Sequence, residues 1–131
     1  MYKQAYSLIR EILDDDEFQQ YVKDCTGKHL SIISTGVQVN APAAGISLNS
    51  GTYTRKSNTK AEVGYTITFV LPFFGADAFE QCLDFVETFI NISFQYKTDN
   101  NFILDAVPNI EIDSERNFWT ININLTVEVL L

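Results

Sequence analysis

The sequence predicts an α+β fold: an antiparallel sheet of about four strands with two helices packed on one face, in the order α-β-β-α-β-β. Three observations predict it. Trp119, Ile121, Ile123, Leu125, Val127 and Val129 alternate with Thr120, Asn122, Asn124, Thr126 and Glu128. Successive strand side chains point to opposite faces, so this alternation marks a long half-buried strand. Glu62 to Leu71 repeats the pattern, with Val63, Tyr65, Ile67, Phe69 and Leu71 on one face and Gly64, Thr66 and Thr68 on the other. Between these two stretches, Phe79, Cys82, Leu83, Val86, Phe89, Ile90 and Phe94 recur at spacings of three and four, the apolar stripe of an amphipathic helix. The 131 residues fit one domain, residues 1–131, long enough to bury a core.

The first element is a helix. Tyr2, Ala5, Tyr6, Ile9, Ile12 and Leu13 fall on one stripe, and the acidic run Asp14-Asp15-Asp16-Glu17 follows. That run either ends the first helix or opens a second short one, because carboxylates suit a helix N-terminus. It does not fit a calcium loop, which alternates its ligands around a central Gly. Leu30, Ile32 and Ile33 predict a first strand that Gly36 to Val39 could extend.

From about 40 to 61 the chain changes character. Pro42, Gly45, Gly51 and many Ser, Thr and Asn give little to bury, which predicts a long hairpin loop of about twenty residues, usually functional or disordered at such length. It holds Arg55, Lys56 and Lys60, basic residues concentrated in an acidic chain, as a contact arm or a solvated turn.

Pro72 stops the second strand, since proline cannot donate to a ladder. Asp77 is placed to cap the following helix, with Glu80 three residues on in capping-box position. Asp77, Glu80, Asp84 and Glu87 run down that helix with no Lys or Arg among them, as a solvated face or a surface for a basic partner. Asp99-Asn100-Asn101 predicts a turn, Phe102 to Asp113 an irregular strand with Pro108 at an edge or bulge, and Asp113 to Asn117 a turn into the closing strand.

Composition narrows function by exclusion. Hydrophobic residues at 46% and aromatics at 13% do not describe a disordered chain. A net charge of −8 argues against a general nucleic-acid binder, which needs a basic surface to neutralise phosphates. Cys25 and Cys82 lack partners at metal-ligand spacing and fit a reduced compartment, the N-terminus predicts a polar helix rather than a signal peptide, and no apolar run approaches the roughly 20 residues of a membrane span. No nucleophile motif accompanies the single histidine, His29, and no glycine-rich phosphate loop occurs. Neither catalysis nor a cofactor is expected.

In order, length and texture the whole chain resembles the tail-terminator (tail-completion, minor tail) proteins of long-tailed bacteriophages and prophages. The matching features are an N-terminal amphipathic helix, a first strand, a long loop, a second strand ending at Leu71-Pro72, a helix starting near Asp77, and two strands, the last led by Phe118-Trp119. The resemblance implies a virion structural protein, built in the host cytoplasm, that forms a homo-oligomeric, commonly hexameric ring. Such a ring caps the tail tube, stops polymerisation of the tube protein and meets the head connector. It implies that Arg55, Lys56, Lys60, Asp77, Glu80, Asp84 and Glu87 are candidate protein contacts. Two other readings stay open: another neck or head–tail joining protein, and a small α+β ligand-binding module or enzyme.

Overall fold

Two helices open the chain. α1 (Tyr2–Leu13) buries Ala5, Leu8, Ile9, Ile12 and Leu13, and α2 (Asp16–Thr26) buries Phe18 and Val22. The acidic run separates them. Asp15 is the N-cap of α2, its Oδ1 accepting from the Phe18 N–H at 2.9 Å, while Asp16 and Glu17 occupy the first turn, where the helix dipole favours them. Gly27, at φ 84°, ends α2 in the left-handed region that glycine enters without a Cβ penalty, its N–H donating to the Lys23 carbonyl. The described residues therefore form three helices rather than the expected two: the acidic run opens a helix of its own.

The computed structural model describes residues 2–33, 41–48, 54–55, 57–96, 101–113 and 118–130, with the backbone alone at 54–55, 104 and 111–113. Its strands are β1 (Ser31–Ile33), β2 (Ala43–Leu48), β3 (Thr54–Arg55), β4 (Lys60–Leu71), β5 (Asn101–Asp113) and β6 (Phe118–Leu130). They form a six-stranded sheet in the order β1-β2-β4-β6-β5, with β3 also paired to β4. All pairs are antiparallel except β1 with β2. The four-stranded antiparallel sheet expected from sequence is thus a mixed sheet of six. The extra strands come from the stretch expected to be a loop. Ala43-Ala-Gly-Ile-Ser-Leu48 has too little bulk to show a pattern, yet it pairs along β4 from Ala43↔Val70 to Leu48↔Tyr65, and Ala43 and Ala44 are buried there. Tertiary pairing overrides weak intrinsic preference. The suggested extension of the first strand over 36–39 lies outside the described residues.

β4 and β6 form the centre of the sheet, in register from Lys60↔Leu130 to Leu71↔Trp119. Their odd-numbered residues, buried from Ala61 to Leu71 and from Ile121 to Val129, face the helices. The opposite face carries Thr and Asn paired across strands: the Thr66 and Thr68 hydroxyls donate to Asn124 Oδ1 and Asn122 Oδ1, each at 2.7 Å. β5 is an edge strand, as Pro108 predicts, but its irregularity falls between Ile103 and Asp105 instead of at the proline. One extra residue there keeps both Ile103 and Ala106 on the helix side.

α3 (Ala78–Gln95) packs on this sheet beside α2. Phe18, Phe69, Phe85 and Phe89 are fully buried, with ring centroids from 4.9 Å (Phe69–Phe85) to 6.2 Å (Phe18–Phe69) apart. Burying each such ring contributes about 1.5–3 kcal/mol, and tilted aromatic pairs add to it. Two polar ties fix the helical layer. The Gln19 side chain donates to the Leu13 carbonyl at 2.9 Å and accepts from the Leu30 N–H at 2.8 Å, joining α1, α2 and the entry to β1. The Tyr96 hydroxyl donates to Asp15 Oδ2 in a short hydrogen bond that joins the end of α3 to the α1–α2 turn. No described helix is long and apolar enough to cross a membrane.

Candidate interaction surface

α3 carries the four acidic candidates. Asp77 stands at the N-cap position but its side chain makes no capping bond, so the expected capping box with Glu80 does not form. The helix is instead entered by backbone bonds from Ala78 N–H to the Gly75 carbonyl at 3.3 Å and from Gln81 N–H to the Asp77 carbonyl at 3.0 Å. Freed from capping, Asp77 is exposed like Glu80, Asp84 and Glu87, and none of the four is in an ion pair among the described residues. No Lys, Arg or His occurs anywhere from Ala61 to Tyr96. Asp84 lies near enough to Tyr21 to help hold its hydroxyl protonated; burial first, then the neighbouring Cys25, pushes that hydroxyl up to about 12.

Beside the acids runs a feature that sequence periodicity assigned to the core. Ala78, Cys82, Phe85, Val86, Phe89 and Ile92 are buried, but Phe79, Leu83 and Phe94 are 51%, 41% and 50% exposed. These three follow the buried arc around the helix by one step and precede the acids, and Ile90 between them is half-buried. The flank is on the side of α3 away from α2, since Tyr21 of α2 packs on Phe85 at 6.2 Å and Phe79 packs on Trp119 of β6 at 5.9 Å. Trp119 is accordingly half-buried at the margin of the core rather than inside it. Phe74, in the turn before α3, is 84% exposed. The signal for the exposed three was available in the stripe's width: seven apolar positions span more of the helix than one packed face covers.

The basic candidates lie elsewhere. Lys60 opens β4 and pairs with Glu128 at 3.7 Å, at the end of the strand opposite the one that leads to Asp77. Arg55 pairs in register with Ala61 through its backbone, and Lys56 lies outside the described residues. Among the described residues, Lys60 is therefore not brought together with the acidic candidates.

Two further exposed apolar side chains, Tyr2 and Tyr6, also belonged to a predicted core stripe. They sit on α1 beside Lys3 and Arg10; Tyr6 packs on Tyr65 at 6.3 Å, and the Tyr65 hydroxyl donates to the Tyr2 carbonyl at 2.9 Å. Leu48, 51% exposed, stands opposite Tyr65 in the β2–β4 register. The rest of the titratable chemistry is dispersed. Among the described residues, no three His, Cys, Asp or Glu side chains gather to hold a metal ion. His29 and Cys25 are exposed, whereas Cys82 is buried and its thiol is pushed up to about 11.

Neither a family model nor a curated protein matches the chain. The functional reading therefore rests on its own residues and surface.

Proposed function

We propose that the chain is a structural assembly protein of the tail-terminator kind, acting by forming a ring that caps a tail tube, ends its polymerisation and presents a surface to a head connector. The observation that carries this reading is the flank of α3, where Phe79, Leu83 and Phe94 are about half exposed beside four carboxylates that form no ion pair among the described residues. Exposed aromatic and aliphatic side chains gathered on one flank mark a protein contact more than scattered single residues do. The reading is supported too by the element order: an amphipathic N-terminal layer, a long last strand at the centre of the sheet, and basic residues at the β3–β4 end.

The test has two arms. Light scattering across protein and salt concentration reads native mass, and purified tail tubes mixed with the protein are then inspected by electron microscopy for capped ends. Closed rings and capped tubes of fixed length are the expected result. A chain that stays monomeric and leaves tube ends growing would overturn the reading.

A further inference from the structure

Two of the exposed apolar patches among the described residues differ in charge. Tyr2 to Arg10, with Tyr2, Tyr6 and neighbouring Leu48, carries Lys3 and Arg10 and no acid. The α3 flank lies in a stretch, Ala61 to Tyr96, that has no basic residue. Arg10 does reach Asp14, but the separation is 3.7 Å and both side chains are largely solvated, so that pair is weak and exchangeable.

Tyr6 and Leu48 gather at Tyr65, six residues along β4 from Leu71, the end of the strand near which Phe79 lies on Trp119. Leu48 belongs to β2, on one side of β4, and packs in register with Tyr65. Phe79 rests on Trp119 of β6, on the other side of β4, at the end where Trp119 pairs with Leu71. A two-fold contact of the α3 flank with itself would set carboxylates against carboxylates, which is unfavourable. An apolar centre rimmed by opposite charge is available only between unlike patches.

Resting on the assembly reading above, we infer that the α3 flank of one copy binds the Tyr2–Tyr6–Leu48 patch of a second copy of this chain. Phe79, Leu83 and Phe94 supply the apolar centre on one side, and Tyr2, Tyr6 and Leu48 supply it on the other. Glu80, Asp84 and Glu87 face Lys3 and Arg10 at the rim. Such a head-to-tail contact repeats, because each copy retains one unused patch of each kind, and it closes into a ring when the rotation per copy allows.

Head-to-tail geometry makes a prediction that no symmetric contact makes. A variant blocked on α3 (Leu83→Glu with Phe94→Glu) and a variant blocked on α1 (Lys3→Glu with Tyr6→Glu) should each self-associate about tenfold more weakly than the wild type, and their two blocked patches repel one another. Mixed in equal amounts, the two should form a one-to-one dimer that goes no further, since each contributes its intact patch. Sedimentation velocity reads all four samples, and circular dichroism melts check that each variant is folded. Absence of a mixed dimer, unchanged self-association of either variant, or a wild-type chain that never self-associates overturns the proposal. The two readings fail separately. Tail tubes capped by the wild type, with no mixed dimer formed, would discard this contact and keep the assembly role. A mixed dimer with no effect on tubes would do the reverse.

Discussion

Phe79 and Phe89 lie on the same helix and in the same apolar stripe of the sequence, yet the structure gives them different weights. Phe89 is fully buried against Phe18 and Phe69, with ring centroids at 5.3 and 5.0 Å; Phe79 is 51% exposed and touches Trp119. Phe89→Ala removes a closely packed ring and leaves a cavity, which costs about 3–5 kcal/mol. Phe79→Ala forfeits about half of the 1.5–3 kcal/mol of a fully buried ring and one exposed aromatic contact, a total of about 1–2 kcal/mol. Unfolding entropy of roughly 2.1 cal/mol/K per residue amounts to about 0.28 kcal/mol/K for 131 residues. The melting temperature should therefore fall by about 11–18 °C for Phe89→Ala and by about 4–7 °C for Phe79→Ala. Differential scanning calorimetry on both variants decides the matter. Equal falls would refute the placement of this flank outside the core, and with it the argument that the flank is free to meet a partner.

Other outcomes follow from the polar ties and the buried titratable groups. Asp15→Ala removes the cap of α2 and the acceptor of the Tyr96 hydroxyl together, so it should cost about 2–4 kcal/mol in urea unfolding. A cycle with Tyr96→Phe should show the two side chains coupled, and strict additivity would disprove the link. The Tyr96 hydroxyl is pushed up to about 12 by burial and then by Asp15, Tyr21 to about 12, and the Cys82 thiol to about 11. Each group keeps its proton longer folded than unfolded. Its stabilisation is thus whole below the unfolded value, near 9 for the thiol and 10 for the phenols, and is lost as pH rises toward 11 and 12. Denaturation midpoints should fall across that alkaline window and fall less in Tyr96→Phe; a flat profile would count against these burials. Iodoacetamide should modify Cys25 alone in the native protein and both cysteines once unfolded, read by intact mass, because only Cys82 is shielded.

β4 and β6 were legible because alternation over ten or more residues leaves no competing period, and their buried faces are the predicted ones. β2 was not, since Ala43, Ala44 and Gly45 offer no contrast between faces and become a strand only against β4. The acidic run was ambiguous for a physical reason: Asp15 suits both the end of one helix and the start of the next, and only the hydrogen bond to Phe18 N–H selects the second. In the candidate surface the acids were legible as a row with no basic residue among them. Phe79 and Leu83 were signalled only by the width of the α3 stripe, and Tyr6 was not signalled, because periodicity shows which residues share a side of a helix and not how much of that side a sheet can cover.

The position of β6 has a consequence for the newly made chain. β4 has its last residue at Leu71, but the neighbour that completes it, β6, ends at Leu130. Ribosomes add about 5–20 residues per second, so roughly 3–12 s separate the synthesis of the two strands. Through that interval β4 can pair with β2 and β3 but not with β6, while Val63, Ile67 and Phe69 border an open edge. During translation, therefore, a row of β-branched and aromatic side chains waits for its partner beside an unpaired edge, where other chains can add to it.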